Sequence, residues 1–206
     1  KVLDDFLETA SKITFLERAV NFTKRHRAIG LGVLGYHSYL QKNSIPFESL
    51  EANYFNIELF STIKSKAYKE SERLAKLYGP APIFLEEDSL EIPRRNTTLC
   101  SVAPTTSSSF ILGQISQGIE PLRSNYYVRD MKKKIIFKNP ELEKILDSYN
   151  KNDKETWNII MNNFGSVQSL DFLSINEKNV FKTFSEISQF EVLKQAASRQ
   201  KYIDQG

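Results

Sequence analysis

The chain has 206 residues, 28 Lys and Arg against 25 Asp and Glu for a formal net charge of +3, and 40% hydrophobic residues. That balance fits a globular chain with one substantial core; it excludes global disorder and lacks the clustered basic face of a nucleic-acid binder. The one cysteine, Cys100, excludes an internal disulfide and a multi-thiolate metal site, and His26 and His37 have no carboxylate pattern around them, so no metal site and a reducing, cytoplasmic compartment are expected.

Val2, Leu3, Phe6, Leu7 and Ala10 recur at helical spacing, and Phe15, Leu16, Ala19, Val20 and Phe22 repeat the pattern. A polar run, Lys24 to Arg27, then precedes Gly30, Gly32 and Gly35, which match the G-x-G-x-x-G spacing of a dinucleotide loop. The context argues against that loop. The fingerprint needs an apolar strand before its first glycine and an acid at a strand end about 20 residues on, whereas Glu48 and Glu51 fall inside a helical pattern. The preferred reading is a strand whose glycines allow close backbone packing, followed by a helix over 36–41.

Leu50, Tyr54, Ile57, Phe60, Ile63, Ala67, Leu74 and Leu77 keep to steps of three, four or seven, which predicts one long amphipathic helix over 47–78 closed by Gly79 and Pro80. Residues 83–92 read as an acidic connection. Thr97 to Ala103 is short, β-branched and mostly apolar, the pattern of a buried strand, and Pro104 ends it. Five hydroxyl residues, Thr105 to Ser109, lead into Phe110, Ile111, Leu112 and Ile115, spaced for one face of a short helix with Ser107, Ser108 or Ser109 as its cap. Such a turn is either an ordinary cap or an anion site, since free N–H groups, the positive end of the helix dipole and several hydroxyls converge there.

Beyond Pro121, residues 124–129 and 134–137 read as a hairpin around Met131-Lys132-Lys133, with Lys132 to Lys134 as its solvated end. Helices are predicted from Pro140 through Leu146 and over 154–163, with a turn at 166–169. A helical region begins at Asn176 and continues to Tyr202. Strands alternating with helices predict an α/β architecture with some parallel pairing, and nothing marks an internal repeat or a linker. No apolar run reaches the roughly 20 residues of a membrane span, and no signal-peptide pattern opens the chain. The chain begins in helix-like sequence without an initiating methionine and stops at Tyr202 to Gly206 where an apolar segment starts, so truncation at both ends is expected.

Six blocks carry a resemblance: Arg27 to Gly35, Arg95 to Leu99, Ala103 to Ser108, Gly118 to Pro121 with Ser124-Asn125, Gly165 to Ser169, and Ile203 to Gln205. In order and approximate spacing they resemble the large subunit of class I ribonucleotide reductase, over nearly the whole chain from Arg25 to Gln205. The resemblance implies that residues 1–206 form part of the C-terminal, catalytic half of a ten-stranded α/β barrel. It implies that Pro104, Thr105, Thr106, Ser107 and Ser108 match the loop that holds the diphosphate of a ribonucleotide substrate. Glu120 matches a glutamate near the surface that meets the small subunit, with docking or radical transfer and a plain structural carboxylate both open.

The family's chemistry uses a thiyl radical to take the ribose 3′ hydrogen and a dithiol pair to reduce the 2′ carbon. With one cysteine, at a position the family usually fills with an apolar residue, Cys100 reads as a small buried hydrophobe, and no catalytic residue is assigned to this chain. Tyr126-Tyr127 reads as strand packing, the family's radical-relay tyrosine pair lying further downstream. The complete enzyme implied here needs the rest of the large subunit, a metal-containing, radical-generating small subunit, nucleoside triphosphate effectors and a thioredoxin or glutaredoxin type reductant. The short connection from Ile83 to Arg94 points to a compact subgroup. A non-catalytic phosphate-ligand binding or interaction module derived from such an enzyme is the alternative.

Overall fold

The computed structural model describes residues 2–86, 92–130 and 134–205. In chain order it contains α1 (Val2–Ala10), a 3₁₀ turn (Thr14–Leu16), α2 (Glu17–His26), α3 (Tyr36–Lys42), α4 (Leu50–Tyr78), α5 (Ile83–Glu86), α6 (Thr106–Ile111), β1 (Tyr126–Asp130), β2 (Lys134–Lys138), α7 (Pro140–Ser148), α8 (Lys154–Asn162), α9 (Ile175–Val180) and α10 (Gln189–Gln200). The chain divides into two compact units, one of residues 1–31, 59–101 and 200–206, the other of 32–58 and 102–199. None of the described helices is long and apolar enough to cross a membrane.

In the first unit, α2 ends because Arg27 turns left-handed (φ 49°) and returns its N–H to the Thr23 carbonyl. The far end of α4 stops at Gly79 (φ +81°), and Arg95 donates from Nη1 to the carbonyls of Tyr78 (2.8 Å) and Gly79 (3.0 Å), groups a helix end leaves without partners. The predicted strand over 97–103 is present as a short parallel pairing. Ile29 N–H donates to Thr98, Leu31 N–H to Leu99 and Ser101 N–H to Leu31, with bridges Leu31 to Cys100 and Ser101 to Gln205.

Asp204 staples this pairing. Its Oδ2 accepts from the N–H groups of Leu99 (2.9 Å) and Cys100 (3.0 Å), and its Oδ1 accepts from Tyr68 Oη (2.8 Å) and Lys64 Nζ (3.3 Å). Burial pushes this carboxyl up; the four donors outweigh it and hold it below the usual carboxylate range. Cys100 is buried, and burial followed by the neighbouring Asp204 charge raises its thiol. The same unit holds a cavity of about 1090 Å³ lined mainly by apolar side chains of α1 and α2.

The second unit is built on nine buried apolar residues, among them Leu142 and Leu146 of α7, Trp157 and Ile160 of α8, and Val180 and Phe181. Burying each such side chain contributes roughly 1.5–3 kcal/mol. The helices start where short polar side chains satisfy first-turn N–H groups. Asn139 accepts from Glu141, with Pro140 as first helical residue; Asp153 accepts from Thr156; Ser174 and Glu177 form a capping box. Strands β1 and β2 form the predicted antiparallel hairpin, with Tyr127 opposite Phe137, while its turn at 131–133 lies outside the described residues. Tyr127 stacks on Phe137 (4.6 Å between centroids) and Tyr126 packs on Trp157 (5.6 Å), so the pair serves as strand packing.

Two expectations need correction. The predicted helical region from Asn176 to Tyr202 is two helices. Between them Glu186 accepts from both the N–H and the hydroxyl of Thr183, and Ser188 N–H donates to Glu48, so side chains capture backbone groups that a continuous helix would use. Residues 83–86, read as irregular, make one helical turn. Among the described residues the only multi-residue strand ladder is the β1–β2 hairpin, and parallel pairing is confined to the two bridges.

Candidate functional site

All five hydroxyl residues from Thr105 to Ser109 belong to the start of α6. The residue at the cap position is Thr105 (φ −117°, ψ 40°), not one of Ser107 to Ser109, and its side chain caps nothing in the helix. Its Oγ1 instead accepts from the N–H of Gly118 (2.8 Å), while Thr106 Oγ1 donates to Gln117 Oε1 (3.0 Å). Ser109 is buried and donates to the Thr106 carbonyl (2.8 Å). Pro104, Ser107 and Ser108 are exposed. The predicted apolar face does not form: α6 stops after six residues, and Ile111 and Leu112 are 83% and 60% exposed.

The six-residue helix leaves its first-turn donors open. Among the described residues, none accepts from the N–H groups of Thr106, Ser107 or Ser108, whereas Ser109 N–H donates to the Thr105 carbonyl (2.8 Å). Three backbone donors without a protein acceptor and the exposed hydroxyls of Ser107 and Ser108 therefore lie on one short turn. Such a set can take phosphate oxygens by hydrogen bonds of the charge-assisted kind, each worth roughly 1.5–3 kcal/mol net.

The turn is held from behind by residues 115–122. Gly118 (φ +51°) is the residue this turn requires: a Cβ there would lie 3.0 Å from the Ala103 carbonyl oxygen, in a backbone conformation side chains disfavour. Residues 116–122 are themselves tied to the start of α3. Gly35 N–H donates to the Ser116 carbonyl (2.9 Å) and Tyr36 N–H to the Gly118 carbonyl (3.3 Å). Ser38 and Ser116 bond reciprocally, each hydroxyl accepting the other's N–H (3.1 and 2.9 Å). His37 is fully buried, and its Nδ1 accepts from Leu122 N–H (2.9 Å). Burial lowers its pKa to about 3, so it stays neutral.

This geometry disposes of the dinucleotide reading of Gly30, Gly32 and Gly35. The N–H groups of Gly35, Tyr36 and Ser38 are taken by Ser116 and Gly118, and Gly35 (φ +79°) packs so closely on Ile115 that a Cβ would sit 2.8 Å from its Cδ1. Of the four N–H groups from Gly35 to Ser38 at this helix start, three are thus occupied within the protein, which disfavours a pyrophosphate there. Glu120 is exposed, in a turn where its N–H donates to the Gln117 carbonyl (3.0 Å). Sequence reasoning missed Gln117 and the Ser38–Ser116 pair, whose partners lie 11 and 78 residues away. Among the described residues no group of three or more His, Cys, Asp or Glu could hold a metal ion.

Comparison with known proteins bears on the whole chain. The family model "Ribonucleotide reductase, barrel domain" matches residues 1–92 and 85–206. The ribonucleoside-diphosphate reductase large subunit of Invertebrate iridescent virus 6 is 44% identical over 195 residues, which cover 92% of this chain and 20% of that protein. Its counterpart from Invertebrate iridescent virus 3 is 38% identical over 208 residues, 99% of this chain and 32% of that protein. The solved Actinobacillus ureae class Id ribonucleotide reductase alpha subunit superposes on all of this chain with a TM-score of 0.88 and 51% identity, and the match covers 37% of that chain. This chain thus spans about a fifth to a third of the length of these curated relatives. On this evidence the chain belongs to the ribonucleotide reductase barrel-domain family.

Proposed function

We propose that this chain is part of a ribonucleoside-diphosphate reductase large subunit, in which it supplies the loop that holds the substrate diphosphate and part of the wall of a ten-stranded α/β barrel, residues 1–206 all belonging to that barrel. The observation that carries the reading is likeness, over the whole of this chain, to 37% of a reductase alpha subunit at 51% identity, joined to an open donor turn at the block, Pro104 to Ser108, that matches the family's diphosphate loop. The backbone N–H groups of Thr106 to Ser108 and the hydroxyls of Thr105, Ser107 and Ser108 bind and orient the phosphates. They place the ribose but move no electrons. The thiyl and dithiol chemistry comes from cysteines outside this chain, since its one thiol is buried and raised by that burial. The working enzyme then needs the remainder of the large subunit, a metal-containing, radical-generating small subunit that Glu120 faces or helps to dock, nucleoside triphosphate effectors, and a thioredoxin or glutaredoxin type reductant. It works in the cytoplasm.

The 206-residue chain by itself is expected to show no ribonucleotide reduction. Turnover without any added polypeptide overturns the division of labour. In an enzyme assembled with the remaining large-subunit sequence, Ser107→Ala raises KM for a ribonucleoside diphosphate about threefold to tenfold with little change in kcat, because the lost contact acts on ground and transition states alike. An unchanged KM removes the loop assignment.

A further inference from the structure

Several half-buried cations of this chain have a carboxylate beside them. Lys182 meets Glu48 at 2.6 Å, Lys64 meets Asp204 at 3.3 Å, and on α10 itself Lys194 meets Glu191 at 3.1 Å. Arg199, in the last turn of α10, does not follow that rule. It is more deeply buried than those three, at 8% exposure, and its one hydrogen bond to a described residue runs from Nη1 to Asn56 Oδ1 at 3.5 Å, the outer limit for such a bond.

The groups around it are neutral and already engaged. Asn56 donates from Nδ2 to the Gln195 carbonyl (2.9 Å), Gln195 donates from Nε2 to the Phe47 carbonyl (2.7 Å), and Gln195 Oε1 accepts from the Tyr36 hydroxyl (2.8 Å). Burial raises the Tyr36 hydroxyl well above its ordinary range, so it stays protonated and lends Arg199 no negative charge. Burial also pulls Arg199 down, yet a guanidinium keeps its proton, and among the described residues no carboxylate acts on it. A buried guanidinium with neutral partners alone carries a desolvation cost that no opposite charge offsets. Its other donors bond to no described residue and open at the surface, where an anion can reach them.

We propose that Arg199 is an anchor for the part of the reductase large subunit that lies outside this chain, its guanidinium taking an Asp or Glu carboxylate from that polypeptide. The proposal rests on the reading of the chain as one portion of such a subunit. The match to the solved alpha subunit covers 37% of that protein, so well over half of such a polypeptide remains to supply the partner. The anions that an unmodified polypeptide offers are carboxylates, and the planar guanidinium fork fits a carboxylate through two parallel hydrogen bonds.

The test is made in the complete large subunit that carries this chain, assembled with its small subunit, with ribonucleoside-diphosphate reduction and amide hydrogen exchange in peptides from α10 as readouts. Arg199→Met keeps most of the side chain's length and removes its charge. It should speed exchange across Gln189–Gln200 by about tenfold or more, because it leaves a buried carboxylate without its partner. Exchange as slow as the parent's, or slower, overturns the anchor, since an unpaired guanidinium can be replaced by an apolar side chain without loss. The partner is found by changing each Asp to Asn and each Glu to Gln outside this chain. One such change should speed exchange in α10 of the parent, less in Arg199→Lys and not at all in Arg199→Met. The lysine variant keeps the charge and carries the test if the methionine variant does not fold; the absence of any carboxylate coupled to position 199 overturns the anchor. Sodium sulfate that slows exchange in the parent but not in Arg199→Met, against sodium chloride at equal ionic strength, puts a free anion in the polypeptide's place and overturns it too. If the parent subunit reduces no ribonucleoside diphosphate, the reading of the chain falls and the anchor with it; if it does and Arg199→Met exchanges like the parent, the anchor alone falls.

Discussion

Two helix starts in the second unit, those of α3 and α6, look alike in sequence and have opposite fates. Each follows a segment rich in small residues, Gly30 to Gly35 before α3 and Thr105 to Ser108 at α6, and each could cradle an anion on general grounds. At α3 three donors are taken by the protein: Ser116 and Gly118 take the N–H groups of Gly35, Tyr36 and Ser38, and His37 and Ser38 reach back to Leu122 and Ser116. At α6 the first-turn donors stay open and the bracing falls on side chains. One start is tied into its neighbours and the other leaves its first-turn N–H groups without a protein acceptor. A helix N-terminus acts as a site only if the rest of the chain leaves it unpaid.

The comparison breaks most visibly at Gly35. Gly35→Ala places a Cβ 2.8 Å from Ile115 Cδ1 at a φ of +79°. Left-handed strain and crowding together should cost about 3 kcal/mol of stability, read as a lowered denaturation midpoint in urea. A change under about 0.5 kcal/mol would mean that α3 is not packed as tightly as described. Next comes Ser116→Ala, which leaves the partly buried N–H of Ser38 without its acceptor and should cost about 1–2 kcal/mol. If α3 is the support, both variants also loosen nucleotide binding at α6; if they do not, support and site are independent.

Acid gives a third, smaller test of the support. Burial lowers the pKa of His37 to about 3, so between roughly pH 6.5 and that value the unfolded chain binds a proton that the folded chain does not. His37 therefore leaves stability full above about pH 6.5 and lets it fall as pH drops. From pH 6.5 to 5 the loss should be on the order of 1 kcal/mol, a window above the carboxyls of Asp204, Glu48 and Glu177, which all lie below their usual range. His37→Leu should be less stable at neutral pH, because Leu122 N–H loses its acceptor, and should flatten the slope across that window. An unchanged slope would assign it elsewhere.

These features differ in how far the chain alone discloses them. The long helix α4 is legible from Leu50 to Tyr78 because its steps of three and four are local and its stop, Gly79-Pro80, is written in two residues. The hairpin and α7 are legible for the same reason. The cap at Thr105 is not, since five consecutive hydroxyls offer equivalent candidates and the choice is made by Gly118, 13 residues on. The break before α10 depends on Glu48, 140 residues from Ser188, and the parallel pairing of residue 101 on Gln205. Within the site, the block from Pro104 to Ser108 can be picked out by composition and family likeness. The bond from Thr106 to Gln117 cannot, because it turns on where Gln117 Oε1 lies.

The smallest effect is the sharpest on the comparison itself, because it asks the two helix starts the same question. Ser107→Ala removes an exposed hydroxyl and should leave stability without ligand within about 0.5 kcal/mol of the parent, whereas the α3 variants do not. Inorganic pyrophosphate at about three times its Kd should stabilise the parent by about 0.8 kcal/mol, the free energy of occupying one site on the folded state only. Ser107→Ala should shrink that gain, since a socket that has lost a donor binds more weakly. If the dinucleotide reading of Gly30 to Gly35 held, the gain would vanish in Gly35→Ala and survive in Ser107→Ala. The paired donors at α3 require the reverse order: no full loss of the gain in Gly35→Ala, and a measurable loss in Ser107→Ala.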